Sequence, residues 1–498
     1  MKSKKIIFKI LFITMLFMLC IIIKQCKSLA ADTLYYNKDS EIKIQLDGTD
    51  EHYASNSLTP DKITIKVGGN IVTPTTKTLS TQTSITNGVR YILTLKGVQG
   101  AGELIVEIKE DTLKDTYENT NNLTTIAPGI IIDNSPPSEV TTGIQINGEN
   151  SFTIITSASE SGSGIKEYRY YIDGSVVSAT TSYTYTANNL VLETKEPYIP
   201  NGFTHAEGEI ISGYVIQDTN NGNEFVWVPV KAKTVSMYVA VVDNAGNITN
   251  SDTVSVSLSQ LYGKGWDEKE GATSDNKSIA YFKNSVGSYG GFYMARYEAG
   301  IPESLTTAIS TASVATRDVS GVPVSKKNQI PWNYIMYDNA KANAESMYST
   351  ENAKSALINS YSWNMTCNWL VSSGSKTYNE VNIDSSSWAN YLKANVTNVT
   401  EYSIVKYDVM SNWEKVDNVT KPSGEFWIIK TGNSNYTKAN NIFDLAGNVE
   451  EIDTKGNTRG SGPNRDRYYQ WIYTLRATAS DSTPGSFSER GFRSILYK

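Results

Sequence analysis

The runs IKIQLDG, KITIKVGGNIV, VRYILTLKG and ELIVEIKE, all within residues 42–110, constrain the fold more than anything else in the chain. Each alternates apolar with polar side chains. That period of two belongs to a half-buried strand and cannot line one side of a helix. The runs are divided by Gly, Asn, Asp and Pro. Short strands with such turn residues between them predict a β-sandwich over 32–135. Pro136-Pro137 in IIIDNSPPSEVTTG marks its end.

A second β unit follows. SFTIITSASESGSGIKEYRYYIDGSVV reads as a strand, a Gly/Ser turn, then alternation through Tyr168, Tyr170 and Ile172 to a hairpin at Asp173-Gly174. TVSMYVAVVDNAGNITNSDTVSVSL supplies a closing hairpin, with Val235, Met237, Val239 and Val241 on one face and Val254, Val256 and Leu258 on another. DTYENTNN (Asp115, Asn119, Asn122) and DNAGNITN (Asp243, Asn247, Asn250) share the spacing D-x3-N-x2-N. Side-chain-to-backbone turns explain such a tip; calcium is the alternative. The GSGI…YYIDG…VDNAGN pattern resembles bacterial immunoglobulin-like surface modules, closely over 140–258 and loosely over 33–135. A sandwich without its last two strands would expose raw edges. Residues 231–258 are therefore expected to pair back onto 140–192, with an insertion in the next domain as the alternative.

The N-terminus carries Lys2, Lys4 and Lys5, then an uncharged apolar run from Ile10 to Ile23, then Ser28-Leu29-Ala30-Ala31. Residues 1–31 thus read as a signal peptide, or as an N-terminal anchor if uncleaved. Export leaves Cys367 as the one cysteine of the mature chain, since Cys20 and Cys26 leave with the signal. No intrachain disulfide is then available. Net charge is −6, with no basic cluster beyond the N-terminus, so nothing marks a nucleic-acid partner. The expected location is secreted or cell-surface, with no membrane contact beyond the anchor.

Residues 197–230 differ in character. In FVWVPV, Phe225 and Trp227 face one way and Val226, Val228 and Val230 the other, so the strand is buried on both sides. GGFYMARYEAG (Gly290–Gly300) is of the same kind. IPWNYIMYDNAKANAESMY predicts a helix through Tyr337, Ala340, Ala344 and Met347. INSYSWNMTCNWLV predicts another, capped by Ser360 and presenting Trp363, Cys367 and Leu370 on one face. With the Trp-bearing helix, NNIFDLAGNVEEID, the RGS step and the terminal GFR, this order resembles the formylglycine-generating-enzyme (sulfatase-modifying-factor) family. The resemblance covers 197–230 with 260–498. It implies an α+β, C-type-lectin-like domain with much irregular structure and a cleft made by loops. The whole is then multidomain and mainly β: two immunoglobulin-like sandwiches and that C-terminal domain.

The resemblance also implies a structural Ca2+ in the block. Asp444 and Glu451 would give carboxylate oxygens, and Gly447 and Val449 backbone carbonyls. Oxygen donors on an irregular loop suit a hard cation, although the spacing is not that of an EF-hand. The alternatives are a plain turn with solvated acids, or an acid/base pair at Glu450-Glu451.

The family's catalysis uses two cysteines that bind copper(I), placed just before the closing GFR. Here SGPNRDRYYQWIYTLRATASDSTPGSFSE holds no cysteine, so no copper is expected, and Cys367 reads as a small core residue. His52 and His205 are the only histidines, too few for an iron centre and without a nucleophile elbow for a triad. What remains is a surface. Arg465, Arg467, Tyr468 and Trp471 occupy the segment where the resemblance places the family's cleft and bring large area with polar tips; the alternative is that half the segment's aromatics are core. Arg493 of GFR reads as structural. The expectation is a binding protein, not an enzyme, for an extracellular glycan, protein or cell-wall component. An enzyme with a non-copper site in the same cleft, or a purely structural surface protein, are the alternatives.

Overall fold

The computed structural model describes residues 33–80, 83–262, 276–309, 312–407, 409–462 and 488–498. It is mainly β and multidomain, with nine sheets among the described residues. The chain divides into two units. One takes the chain up to Gln145 with Thr153–Thr186 and Ser236–Ser255; the other takes Ile146–Phe152, Ala187–Val235 and Val256–Lys498. The expected signal segment, 1–31, lies outside the described residues. No described helix is long and apolar enough to cross a membrane.

In the first unit, Ile42–Thr49 pairs antiparallel with Gly88–Lys96, and Ile63–Val67 with Gly102–Ile108. Alternation places Ile42, Ile44, Leu46, Leu93 and Leu95 from one sheet against Ile63, Ile65, Val67, Leu104 and Val106 from the other, all buried in one cluster. The hairpin at Asp173-Gly174 turns with both residues at positive φ, 49° and 77°, the geometry a two-residue type I′ loop needs. Ile165–Ile172 also pairs with Ala232–Asp243, in the register Tyr170↔Val239. Residues 237–243 therefore meet the 165–172 strand across more than sixty residues of intervening chain.

Both Asp-x3-Asn tips are turns. Asp115 Oδ1 accepts from the Asn119 amide, and Asp115 Oδ2 from Asn119 Nδ2. Asp243 and Asn247 repeat both bonds, and so do Asp453 and Asn457 in the second unit. The third position of the expected pattern does not take part: Asn122 and Asn250 are exposed. It is Asn121, buried, whose Oδ1 accepts from the Thr112 and Leu113 amides.

The second unit is built on a six-stranded sheet in the order Phe203–Glu207, Val215–Asp218, Glu224–Pro229, Gly291–Ala295, Ser494–Tyr497, Lys354–Leu357. Trp227 lies opposite Tyr293, and Tyr293 opposite Leu496. The two faces of FVWVPV enter different cores. Val226, Val228 and Val230 join Met294, Ile495, Trp363, Cys367 and Leu370. Phe225 and Trp227 join Tyr293 and Leu496. A helix spans Tyr337–Ser346 and another Ser360–Ser372. The second is capped by Asn359, not Ser360. Asn359 Oδ1 accepts from the Ser362 amide and Ser362 Oγ from the Asn359 amide, a reciprocal capping box. Ser360 lies one residue inside the helix.

Candidate functional site

The NNIFDLAGNVEEID segment turns repeatedly through left-handed backbone. Asn440, Asn441, Asp444, Gly447 and Asn448 all have positive φ. Asn, Asp and Gly are the residues that tolerate that region. Gly447 is required twice over, because its φ is 83° and a Cβ there would lie 2.4 Å from the Asn390 carbonyl oxygen. Hydrogen bonds from Asn390 N to Ala446 O and from Asn448 N to Asn390 O stitch the loop to residue 390. Glu450–Ile452 then pairs with Thr458–Arg459 and, in parallel, with Arg490–Phe492, so the block meets the terminal GFR directly.

The acids of this block are not solvated, which overturns the plain-turn alternative. Asp444, Glu451 and Asp453 are 0% exposed and Glu450 is 4% exposed. Asp453 is neutralised by Arg459, with 2.8 Å between Oδ2 and Nη2. Asp444 accepts from Thr437 Oγ1 at 2.6 Å and from the Gly432 amide at 2.8 Å. Glu451 pairs with Arg493, whose Nε lies 2.6 Å from Oε1. The sequence reading missed a third acid, Glu298. It is wholly buried and accepts from Asn448 Nδ2 at 2.7 Å and from the Val449 amide at 3.0 Å. An acid two residues after Arg296, in the otherwise apolar GGFYMARYEAG run, was the signal available for it.

Electrostatics ties these groups together. Desolvation pushes the Glu298 carboxyl well above its ordinary value, and the charges of Asp444 and Glu451 add to it. Burial raises Asp444 too, against the hydrogen bonds from Thr437 and Gly432. It lifts Glu451 to about 7 despite Arg493. Three buried carboxylates facing one guanidinium leave an excess of negative charge unless protons or a cation offset it. Glu451 Oε2 is buried with no hydrogen-bond partner, an open oxygen of the kind a hard cation takes. Both oxygens of Asp444 are already engaged by the protein. The residues fit a cation in charge and donor type.

Among the described residues, the group of acids whose ligand atoms all lie within 4.8 Å of one another is elsewhere: Asp133, Glu160 and Asp243, in the first unit. These carboxylates already serve the backbone. Asp133 accepts from the Ser135 and Ser163 amides, Glu160 from the Gly162 amide, and Asp243 from Asn247.

The expected ligand-contact residues Arg465, Arg467, Tyr468 and Trp471 lie outside the described residues. Cys367 is 1% exposed in the core, and desolvation pushes its thiol far up, away from the thiolate that soft-metal chemistry needs. Arg493 is a hub. Besides Glu451, it donates to the Ala295 and Phe443 carbonyls, joining the terminal strand to two other segments. Lys421, unforeseen, is buried with Nζ donating to the Tyr391 and Ala394 carbonyls at 2.9 and 3.0 Å.

No family model and no curated protein matches this chain. Solved structures do. Fibronectin(III)-like modules of Clostridium thermocellum CbhA match at 14% identity over 46% of this chain and 90% of theirs, with a TM-score of 0.20. A titin fragment matches at 12% identity over 45% and 61%, with a TM-score of 0.24. The N-terminal eight immunoglobulin domains of Down Syndrome Cell Adhesion Molecule match at 10% identity over 45% and 28%, with a TM-score of 0.16. At such low TM-scores these likenesses carry no argument about function, and the β architecture rests on the strand pairings themselves.

Proposed function

We propose that this chain is an exported surface protein whose β-sandwich modules act as spacer. Its C-terminal domain, similar to the formylglycine-generating-enzyme family, binds an extracellular glycan, protein or cell-wall component without formylglycine-generating activity. One observation carries the reading: Cys367, the only cysteine after residue 26, is locked in the core of that domain. A copper(I) site of the family type needs two accessible thiolates, and this chain cannot offer them there. The meeting of FVWVP, GFYMA and SILY in one sheet supports the family likeness, and the cleft segment at Arg465, Arg467, Tyr468 and Trp471 is the binding surface. The buried acids support a structural Ca2+ held by Asp444, Gly447, Val449 and Glu451. The ion would supply charge neutralisation and hold the loop.

The test is a glycan and protein array probed with the full chain and with Trp471→Ala. A hit lost in the variant supports binding. Oxidation of a cysteine-containing peptide by the copper-loaded chain would overturn the non-enzyme reading.

A further inference from the structure

Four arginines are buried among the described residues, and three of them follow the rule that a buried charge is paired. Arg296 pairs with Glu207 and Glu224, Arg459 with Asp453, and Arg493 with Glu451. Arg317 does not. It is 2% exposed, and among the described residues no carboxylate oxygen lies within the 4.0 Å of an ion pair. Its Nη1 donates to Asn333 Oδ1. Its Nε is buried with no acceptor at all. The Tyr334 ring, 5.8 Å from the guanidinium carbon, is the aromatic face beside it.

The group is held in place. Trp332 Nε1 donates to the Arg317 carbonyl at 2.9 Å. Asn333 is wholly buried, and its amide nitrogen is engaged by the Ser488 carbonyl and Met410 Sδ. That fixes which way Asn333 Oδ1 faces. Burial pushes the guanidinium down to about 10, so it stays charged at neutral pH. A fixed, desolvated guanidinium with a free Nε edge is suited to the side-on, two-point engagement that carboxylates, sulfates and phosphates make. A neutral hydroxyl would satisfy the donor and leave the charge.

We propose that Arg317 is an anion receptor: with Asn333 beside it, its Nε edge takes an oxyanion group of a ligand. The site is argued independently of the function proposed above: Arg317 and Asn333 belong neither to the FDLAGNVEE block nor to the Arg465–Trp471 segment in sequence.

The full-length chain is titrated with sodium acetate, sodium sulfate and sodium phosphate. Ionic strength is held constant with sodium chloride, and heat of binding and thermal midpoint are both read. At least one of the three is expected to give a saturable heat and a rising midpoint that chloride does not. A response to acetate alone identifies a carboxylate site, and a response to sulfate and phosphate a tetrahedral-anion site. Arg317→Gln keeps a donor for Asn333 without the charge and is expected to bind about tenfold or more weakly. Arg317→Met, an apolar replacement for an unpaired charge, is expected to lose the response while folding. If Arg317→Met fails to fold, Arg317→Gln carries the comparison. The absence of any saturable response in the wild-type chain, saturation by chloride itself, or an unchanged response in Arg317→Gln overturns the proposal.

Discussion

Arg493 Nε lies 2.6 Å from Glu451 Oε1 with both side chains at 0% exposure, so the last strand and the FDLAGNVEE block share one buried ion pair. Removing the cation would leave Glu298, Asp444 and Glu451 unopposed. Arg493→Met is expected to destabilise the domain by about 3–5 kcal/mol, read as a lowered urea midpoint. An unchanged midpoint would mean the acids are neutral in the folded chain.

The same excess of buried acid sets the calcium experiment. Adding chelator is expected to lower the melting temperature, and saturating calcium to restore about 2.7 kcal/mol at a hundredfold excess over Kd. Asp444→Ala is expected to erase that difference. Identical melting with and without chelator removes the ion from the account.

Gly447 separates backbone strain from collision. Gly447→Ala must hold φ at 83° and clash with the Asn390 carbonyl, for a loss of about 3 kcal/mol or more. Gly374→Ala has a similar φ of 76° but open space around its Cβ, so it is expected to cost only about 1–2 kcal/mol. Equal losses in the two variants would show that the contact with residue 390 contributes nothing.

Asn359 begins the helix that carries Cys367. Asn359→Ala is expected to cost about 1–2 kcal/mol, while Asn359→Ser recovers most of it, because serine also caps. Circular dichroism melts of both variants check this; a serine variant as weak as the alanine one would place the loss in packing instead.

Lys421 governs an alkaline dependence. Its ammonium is pushed down to about 8 by burial, below the ordinary 10.5. Between those values the unfolded chain binds more protons than the folded one, so stability contributed by this group rises with pH. Below pH 8 the cost of burying the charged form is present in full. Urea titrations from pH 7.5 to 10 are expected to show wild type gaining on Lys421→Met as pH rises; parallel curves would refute the burial cost.

Much of the architecture was legible because strands leave a local signature. The alternation in IKIQLDG and KITIKV marked its own buried faces, and the doubly apolar FVWVPV had to be a central strand. Helix 360–372 was visible in its spacing, but its cap was misplaced by one residue, because Asn359 and Ser360 both cap well and only the partner Ser362 distinguishes them. The candidate site was legible in part. Asp444 and Glu451 stood in a conspicuous motif, whereas Glu298 is about 150 residues away, and only folding brings it to Asn448.

The sequence by itself determined which segments are strands, that a single cysteine follows residue 26, and that Asn, Asp and Gly cluster where the backbone must turn left-handed. These are properties of neighbouring residues, and short-range sterics and periodicity settle them. Tertiary structure alone decided that the acids of the block are buried, that Arg493 is the cation paired with Glu451, and that no carboxylate among the described residues pairs with Arg317. Burial and charge pairing depend on atoms far apart in the chain, and the free energy of a carboxylate or guanidinium is set by what surrounds it.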